Sequence, residues 1–330
     1  MIAKDIRIVF MGTPDFAVAP LKELIDKNYN VVGVITAADK PAGRGKKLRE
    51  SAVKIYAKEQ GITILQPEKL KDPEFNQKLN DLNPDLQIVV AFRMLPEMVW
   101  QLPNLGTFNL HASLLPQYRG AAPINWAIIN GDKKTGLSTF LIDKEIDTGK
   151  ILLQEEINIE ISDNAGSLHD RMMQKGAKLV AKTVNLISKG GVNLKQQNEL
   201  TPNISTLKAA PKIFKNDCKI NWGQAGEKIY NFIRGLSPYP AAWTVFQSMN
   251  SDKILSAKIF ETEWIKEEHE LLPSDVDSDM KTYFHIAVSG GFIAIKSIQL
   301  EGKKRMNITD FLRGFNIEDY LIDPKPSCLI

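Results

Sequence analysis

The sequence predicts an α/β chain in which a parallel sheet covered by helices on both faces precedes a small antiparallel β-barrel. Three observations lead there. Apolar runs of strand length alternate with amphipathic stretches over the first part of the chain, as strand–helix–strand units require. Around 190–210 the character changes to Gly190-Gly191, Pro202 and many polar residues, the composition of a linker. Beyond it strands dominate, with turn signals such as Ser289-Gly290-Gly291 between them. At 330 residues, 43% hydrophobic and 25% charged, the chain can bury two cores.

The elements follow in order. Ile6 to Met11 is a short apolar run ending at Gly12-Thr13-Pro14, and a helical pattern follows with Phe16, Leu21, Leu24 and Ile25 apolar. Val31 to Thr36 reads as a strand, Ser51 as the cap of a helix running to Gln60, and Ile62 to Leu65 as a third strand. Phe75 to Leu82 is helical in pattern, and Leu86 to Ala91 and Thr107 to His111 are strands. Thr135 to Asp143 and Ile151 to Ile159 are strands joined by K-E-I-D-T-G-K, and a long helix from Asn164 to Ser188 closes the first domain. In the second domain Glu227 to Leu236 reads as a helix. Strands are predicted over Ala241–Gln247, Ile254–Glu261, Thr282–Val288 and Phe292–Leu300, with acid-rich Glu261 to Asp279 as a solvated loop.

The formal charge of +3 neither demands nor excludes a polyanionic partner, so local clustering decides. From Asp39 to Arg49 five basic residues face one acid, while Pro41, Gly43 and Gly45 break regular structure and predict a mobile basic loop. It is a solvated surface loop or a phosphate contact, and the glycines flanking Arg44 allow close backbone approach. Lys303, Lys304 and Arg305 make a second cationic tip after a strand, either an exposed hairpin end or another phosphate contact. The second domain as a whole balances its charges. Cys218 and Cys328 form neither a disulfide framework nor a metal-binding pair, which fits a reducing, cytoplasmic setting. The N-terminus has charges inside what would be a signal core, and no apolar run reaches membrane-spanning length, so no membrane partner is expected.

The segment Thr107–Gly120, T-F-N-L-H-A-S-L-L-P-Q-Y-R-G, carries the chemistry. Alternation places Asn109, His111 and Ser113 on one face of an extended chain, with Leu110 and Ala112 on the other. The trio marks either a ligand cleft at the carboxyl edge of the sheet or a strand end whose polar groups meet loop backbone. Gly12, Pro14 and Ala17 stand where a dinucleotide fingerprint needs three glycines, so a nicotinamide enzyme is rejected. No second histidine lies near His111 at metal-ligand spacing, and no metal is expected. His169, His269 and His285 read as structural or surface residues.

Phe108 to Pro116, then Tyr118-Arg119-Gly120-Ala121-Ala122-Pro123 and Asp147-Thr148-Gly149, together resemble the 10-formyltetrahydrofolate-dependent formyltransferases. Met11 to Ala17, the Pro41 to Leu48 loop and Gly302-Lys303-Lys304-Arg305-Met306 are similar to the branch of that superfamily acting on methionyl-tRNA. The likeness extends over nearly the whole chain. It implies a Rossmann-like catalytic domain over 1–189, a linker over 190–210, and an OB-like β-barrel tRNA-binding domain over 211–330.

The resemblance also implies roles. Asn109, His111 and Asp147 match the catalytic triad. An amine attacks a formyl carbon, the carbonyl oxygen becomes negative, and a proton passes toward the leaving folate nitrogen. Asn109 and His111 can donate to that oxygen, and Asp147 can stabilise the imidazolium and carry the proton. The co-substrate implied is 10-formyltetrahydrofolate, near Ser113, Leu114, Leu115 and Pro116 and the loop of Phe92 and Arg93. There the chain departs from a common Ala-Tyr-Gly and reads Ala91-Phe92-Arg93. Initiator methionyl-tRNA is the implied acceptor, met by Arg44, Lys46 and Lys47 in the basic loop and by Lys303, Lys304 and Arg305, and a chain of this size can act as a monomer. An amino-sugar N-formyltransferase would share the triad but not the two basic segments. A glycinamide ribonucleotide transformylase would leave the last third unused, and a non-catalytic tRNA-binding protein would have no need of the triad.

Overall fold

The protein is described from a computed structural model covering residues 2–42, 47–190, 192–200 and 206–323. The described residues divide into two compact units: those within 1–123, 134–158 and 169–210 form one, and those within 124–133, 159–168 and 211–330 the other.

In the first unit, β1 (Ile8–Gly12), α1 (Asp15–Asp26) and β2 (Val31–Ile35) form the opening strand–helix–strand unit. A Cβ on Gly12 would lie 2.6 Å from the Ala17 Cβ, so this glycine serves the tight passage from β1 into α1. β3 (Lys40–Ala42) and β4 (Lys47–Arg49) come next, then α2 (Ala52–Glu59) and β5 (Ile64–Leu65). The Ser51 hydroxyl caps α2 by accepting from Lys54 N, as predicted. α3 (Pro73–Asp81) starts two residues earlier than its apolar pattern suggests, because Asp72 caps it and Pro73 occupies its first turn.

β6 (Leu86–Val90), α4 (Glu97–Trp100), β7 (Thr107–His111), β8 (Arg119–Gly120) and α5 (Pro123–Ile129) follow. Next are β9 (Lys134–Leu141), β10 (Ile151–Asn158), α6 (Ala165–Lys189), α7 (Gln197–Leu200) and β11 (Ala209–Ala210). The seven-stranded sheet has the order β10-β9-β7-β6-β1-β2-β5. It is parallel from β7 through β5, as expected, and β9 runs antiparallel to β7 and β10 antiparallel to β9 at one edge. The chain adds strands on one side of β1 and then on the other, so its order reverses between β1 and β6. Crevices that bind ligands form at the carboxyl ends of strands beside such a reversal. β6 and β7 are paired with Val89 opposite Asn109, which brings the end of β7 to that edge.

The second unit contains α8 (Gly226–Leu236), β12 (Ala242–Ser248), β13 (Ile254–Ile265), β14 (Val276–Ser278), β15 (Phe284–Val288) and β16 (Gly291–Leu300). β17 (Met306–Asn307), α9 (Ile308–Gly314) and β18 (Tyr320–Ile322) follow, and α5, all but its first residue, belongs to this unit as well. The strands form a nearly closed antiparallel barrel in the order β14-β15-β16-β13-β12-β18, with β17 on β16. Its core includes Trp222, Ile233, Phe246, Ile259, Phe284, Ile295 and Phe311, all buried. The supposed acidic loop begins as strand, since β13 continues to Ile265 opposite Phe292, and β14 occupies Val276–Ser278. Acidic residues at 261 and 263 alternate with Thr262 and Trp264, so one face carries charge while the strand persists.

Candidate active site at the carboxyl edge of the sheet

β7 delivers Asn109 and His111 to the same face of the chain, and the structure brings Asp147 to the histidine. His111 is 6% exposed. Its Nε2 lies 2.8 Å from Tyr118 O, and its Nδ1 lies 3.8 Å from Asp147 Oδ2. A backbone carbonyl only accepts, so Nε2 carries the proton of the neutral ring and Nδ1 faces the carboxylate. Asn109 Oδ1 is buried without a hydrogen-bond partner among the described residues. A buried orphan acceptor is expensive, and a ligand group would satisfy it.

Asp147 sits in the left-handed region at φ 56 and accepts the Gly120 N–H at 3.0 Å on Oδ2. Around it the turn is held internally. Thr148 Oγ1 donates to Asp143 Oδ1 at 2.7 Å, which also accepts from Glu145 N at 3.1 Å. A Cβ on Gly149 would lie 1.7 Å from Leu141 O, so the turn packs too closely for any side chain there.

Ser113 lies past the end of β7, fully buried, and its hydroxyl donates to Gln117 O at 2.6 Å. Leu115 and Pro116 are buried and joined by a cis peptide bond. Ser138, across the sheet on β9, fastens this loop: its hydroxyl donates to Ser113 O at 2.7 Å and accepts from Leu115 N at 3.0 Å. Gln154 Nε2 donates to Leu115 O and to Ser138 Oγ, both at 2.8 Å. Leu114 lies over Gly136, whose added Cβ would meet Leu114 Cδ2 at 2.4 Å. Phe92 packs on the core formed by Val9, Met11 and Val89. Beside it the exposed Arg93 holds the carbonyls of Pro67 and Glu68, the latter at 2.8 Å.

Sequence reasoning missed a second wall of this site. Tyr118 N donates to Lys208 O at 2.6 Å, β8 pairs in parallel with β11, and Ala121 N donates to Ala210 O at 2.7 Å. Residues 206–210, taken from composition as part of a linker, are therefore ordered against the Tyr118–Ala121 segment. Gln197, from the same stretch, is 2% exposed and bonds both Arg119 and the Asp147 turn. A lone glutamine in a polar run gives no sequence signal for that.

The basic segment is not an irregular loop. β3 and β4 pair antiparallel with Lys40 opposite Arg49, Pro41 opposite Leu48 and Ala42 opposite Lys47. Arg44 and Lys46 lie outside the described residues, and Lys47 takes part through its backbone. The hairpin base is tied down by Lys54, which bonds Asp39 and reaches Glu50 Oε1 at 3.0 Å, and by Gln66, which donates to Asp39 Oδ1 at 2.8 Å. Lys54 and then Gln66 hold the Asp39 carboxyl below its ordinary range, and Asp39 and then Glu50 push the Lys54 ammonium up. In the barrel, Lys303 and Lys304 are exposed, whereas Arg305 pairs with Glu261 at 2.5 Å, donates to Ser297 Oγ at 2.7 Å and lies over the Phe260 ring. The three basic residues of that tip thus differ in availability.

Among the described residues, no three His, Cys, Asp or Glu side chains cluster as a metal ion would require, and no helix is long and apolar enough to cross a membrane.

Fold and site define a formyl transferase. The sequence pattern of the formyl transferase family matches residues 6–197, and that of the formyl transferase C-terminal domain matches 212–316. The chain is 54% identical over 324 residues to a methionyl-tRNA formyltransferase of Parabacteroides distasonis, covering 98% of this chain and all of that protein. It is 56% identical to one of Phocaeicola vulgatus over 97% of this chain and 98% of the relative. The chain belongs to the methionyl-tRNA formyltransferase family. Solved structures share the fold at lower identity. An N-formyltransferase from Helicobacter canadensis in complex with folinic acid and dTDP-3-aminofucose has a TM-score of 0.61 at 22% identity, over 91% of this chain and 100% of that one. HypX from Aquifex aeolicus in complex with tetrahydrofolic acid has a TM-score of 0.61 at 15% identity over 93% of this chain, which spans 47% of HypX.

Proposed function

We propose that this protein transfers the formyl group of 10-formyltetrahydrofolate to the amino group of the methionyl moiety of initiator methionyl-tRNA, yielding N-formylmethionyl-tRNA in the cytoplasm. The observation that supports this most is the pairing of His111 Nδ1 with Asp147 Oδ2 at 3.8 Å while Nε2 is committed to Tyr118 O. The amine nitrogen forms a bond to the formyl carbon, the bond from that carbon to the folate nitrogen breaks, and one proton moves from the first nitrogen to the second. Asn109 donates an amide N–H to the carbonyl oxygen as it gains charge. His111 donates to the same oxygen through Nδ1. Because Nε2 already holds a proton, a proton on Nδ1 makes an imidazolium, and the Asp147 carboxylate balances that charge. Asp147, directly or through one water, relays the proton between the nitrogens. Donors and relays of this kind each supply about a hundredfold or more in rate.

The folate fits beside this set. Asn109 Oδ1 offers an unsatisfied acceptor, the 113–116 loop is fixed from behind by Ser138, and β6, parallel to β7 and paired with it, ends at the same sheet edge. We assign Ser113 through Pro116, Phe92 and Arg93 to this co-substrate, with Ser113 and Arg93 shaping loops through their bonds to backbone carbonyls. Arg44, Lys46 and Lys47 of the basic segment, and Lys303, Lys304 and Arg305 at the barrel tip, are assigned to the phosphates of the tRNA. Residues 1–189 then act as the catalytic domain and 211–330 as the tRNA-binding barrel, joined by 190–210, and the enzyme works as a monomer.

The test offers donor labelled in the formyl carbon to charged initiator methionyl-tRNA, to a dTDP-amino sugar and to glycinamide ribonucleotide in parallel. Label is expected on methionyl-tRNA alone. Label on either small amine with none on methionyl-tRNA would overturn the assignment.

A further inference from the structure

We propose that Gln197 is a positioning residue for formyl transfer: its amide clamps the Asp147–Gly149 turn to Arg119 and so sets the Asp147 carboxylate against His111. This rests on the reading that Asp147 and His111 act in the transfer. One buried side chain makes all the bonds involved. Gln197 Nε2 donates to Asp147 O at 2.9 Å and to Gly149 O at 2.8 Å. Its Oε1 accepts from Arg119 Nε at 3.1 Å and Nη2 at 2.7 Å. The guanidinium can only donate and the two carbonyls can only accept, so the amide has a single orientation that satisfies all four bonds.

The turn it holds needs holding. Asp147 is a non-glycine residue at φ 56, a conformation that persists only where surrounding contacts impose it. The bonds also close a ring. Gly120 N, one residue after Arg119, donates to Asp147 Oδ2, while the Arg119 side chain reaches Asp147 O through Gln197. Carboxylate and backbone of Asp147 are thereby referred to the same dipeptide, Arg119–Gly120, which follows the Tyr118 carbonyl that fixes His111 Nε2. The two reacting side chains share one local frame, and Gln197 joins its two parts from a distant point in the sequence. Without it the Asp147 and Gly149 carbonyls lose their side-chain donor, and the carboxylate is referred to Arg119–Gly120 through the Gly120 N bond alone.

Gln197→Glu is the sharpest test. It keeps the acceptor for Arg119 but turns a carboxylate oxygen toward two carbonyls. Gln197→Met removes every bond at the same length. In single-turnover assays at saturating substrates, both are expected to slow formyl transfer about a hundredfold, the cost of misplacing a reacting group by about 1 Å. KM for donor and for tRNA should stay within about twofold. The Gly120 amide resonance, which reads the bond to Asp147 Oδ2, should move in both variants. In an Asp147→Asn background, Gln197→Glu should add less than about threefold, because it acts through that carboxylate. A near wild-type rate in both single variants would overturn the proposal. So would a full multiplicative loss in the double variant, or unfolding of both single variants by circular dichroism, since each makes Gln197 a residue that merely holds the fold. Asp147→Asn alone tests the underlying reading separately: if it transfers formyl at the wild-type rate, the role of Asp147 falls, whatever Gln197 does.

Discussion

Gly149→Ala isolates a steric effect, because Gly149 has no left-handed φ and alanine could adopt its backbone without strain. What stands in the way is Leu141 O, 1.7 Å from where the Cβ would be. Ordinary contact begins near 3.4 Å, so about 1.7 Å of separation must be opened. The strand side does not yield easily: Leu141 O belongs to backbone at the end of β9, where Leu141 N donates to Lys150 O at 2.9 Å. The displacement therefore falls on the turn, two residues from the Asp147 carboxylate. Overpacking of this kind costs roughly 1–3 kcal/mol. At about 2–4 °C per kcal/mol for a domain of this size, Tm should fall by roughly 2–12 °C. Transfer should slow by about a hundredfold if the carboxylate shifts by about 1 Å. Differential scanning calorimetry and single-turnover formylation, run on the same preparation, measure both. Wild-type Tm and rate together would show that the strand end and turn can part without cost, and the account of a rigidly placed Asp147 would fail.

Other consequences are open to measurement. Ser138→Ala should cost about 1–3 kcal/mol in urea unfolding by stranding Leu115 N and Ser113 O, with the loss appearing also as a higher KM for the folate. The lowered Asp39 carboxyl contributes stability that is complete above its ordinary unfolded value and is lost as pH falls through the lower folded value. Amide exchange in β3 and β4 should accordingly stay flat from neutral pH into the mildly acidic range, after correction for intrinsic rates, and rise only in stronger acid. Lys54→Met should raise it already at neutral pH. Arg44→Ala should slow formylation of methionyl-tRNA far more than it weakens folate binding, as titration calorimetry and initial rates would show; equal losses would refute the role of the basic segment.

Legibility in the sequence followed the range of the interactions. β7 could be read because alternation of polar and apolar residues is a local property, and Ser51 because a cap acts over three residues. The start of α3 is set by Asp72-Pro73, a signal as local as the Ser51 cap, whereas its apolar pattern begins only at Phe75. The pairing of β3 with β4 was hidden because Pro41, Gly43 and Gly45 read as breakers, whereas Pro41 tolerates an edge position. The reversal of direction at β9 has no local signature, since strand direction depends on which neighbour it meets. Asp147 entered through family resemblance and not through spacing. Gln197 was invisible because its bonds span 50 and 78 positions, and a glutamine is otherwise at home on any polar surface.

The pairing of β8 with β11 has a consequence for synthesis on the ribosome. Asn109, His111 and Asp147 all lie before residue 150, and a nascent chain ending at Lys189 has every strand of the large sheet. It lacks Gln197, Lys208 and Ala210, which bond Arg119, Tyr118 and Ala121 and complete the wall beside His111. A long-range contact of this kind forms only once both partners have been made. The strands of the large sheet are therefore all made before the residues that frame the wall beside His111, and that wall can close only after the segment up to Ala210 has been made, where the second unit's longest segment begins.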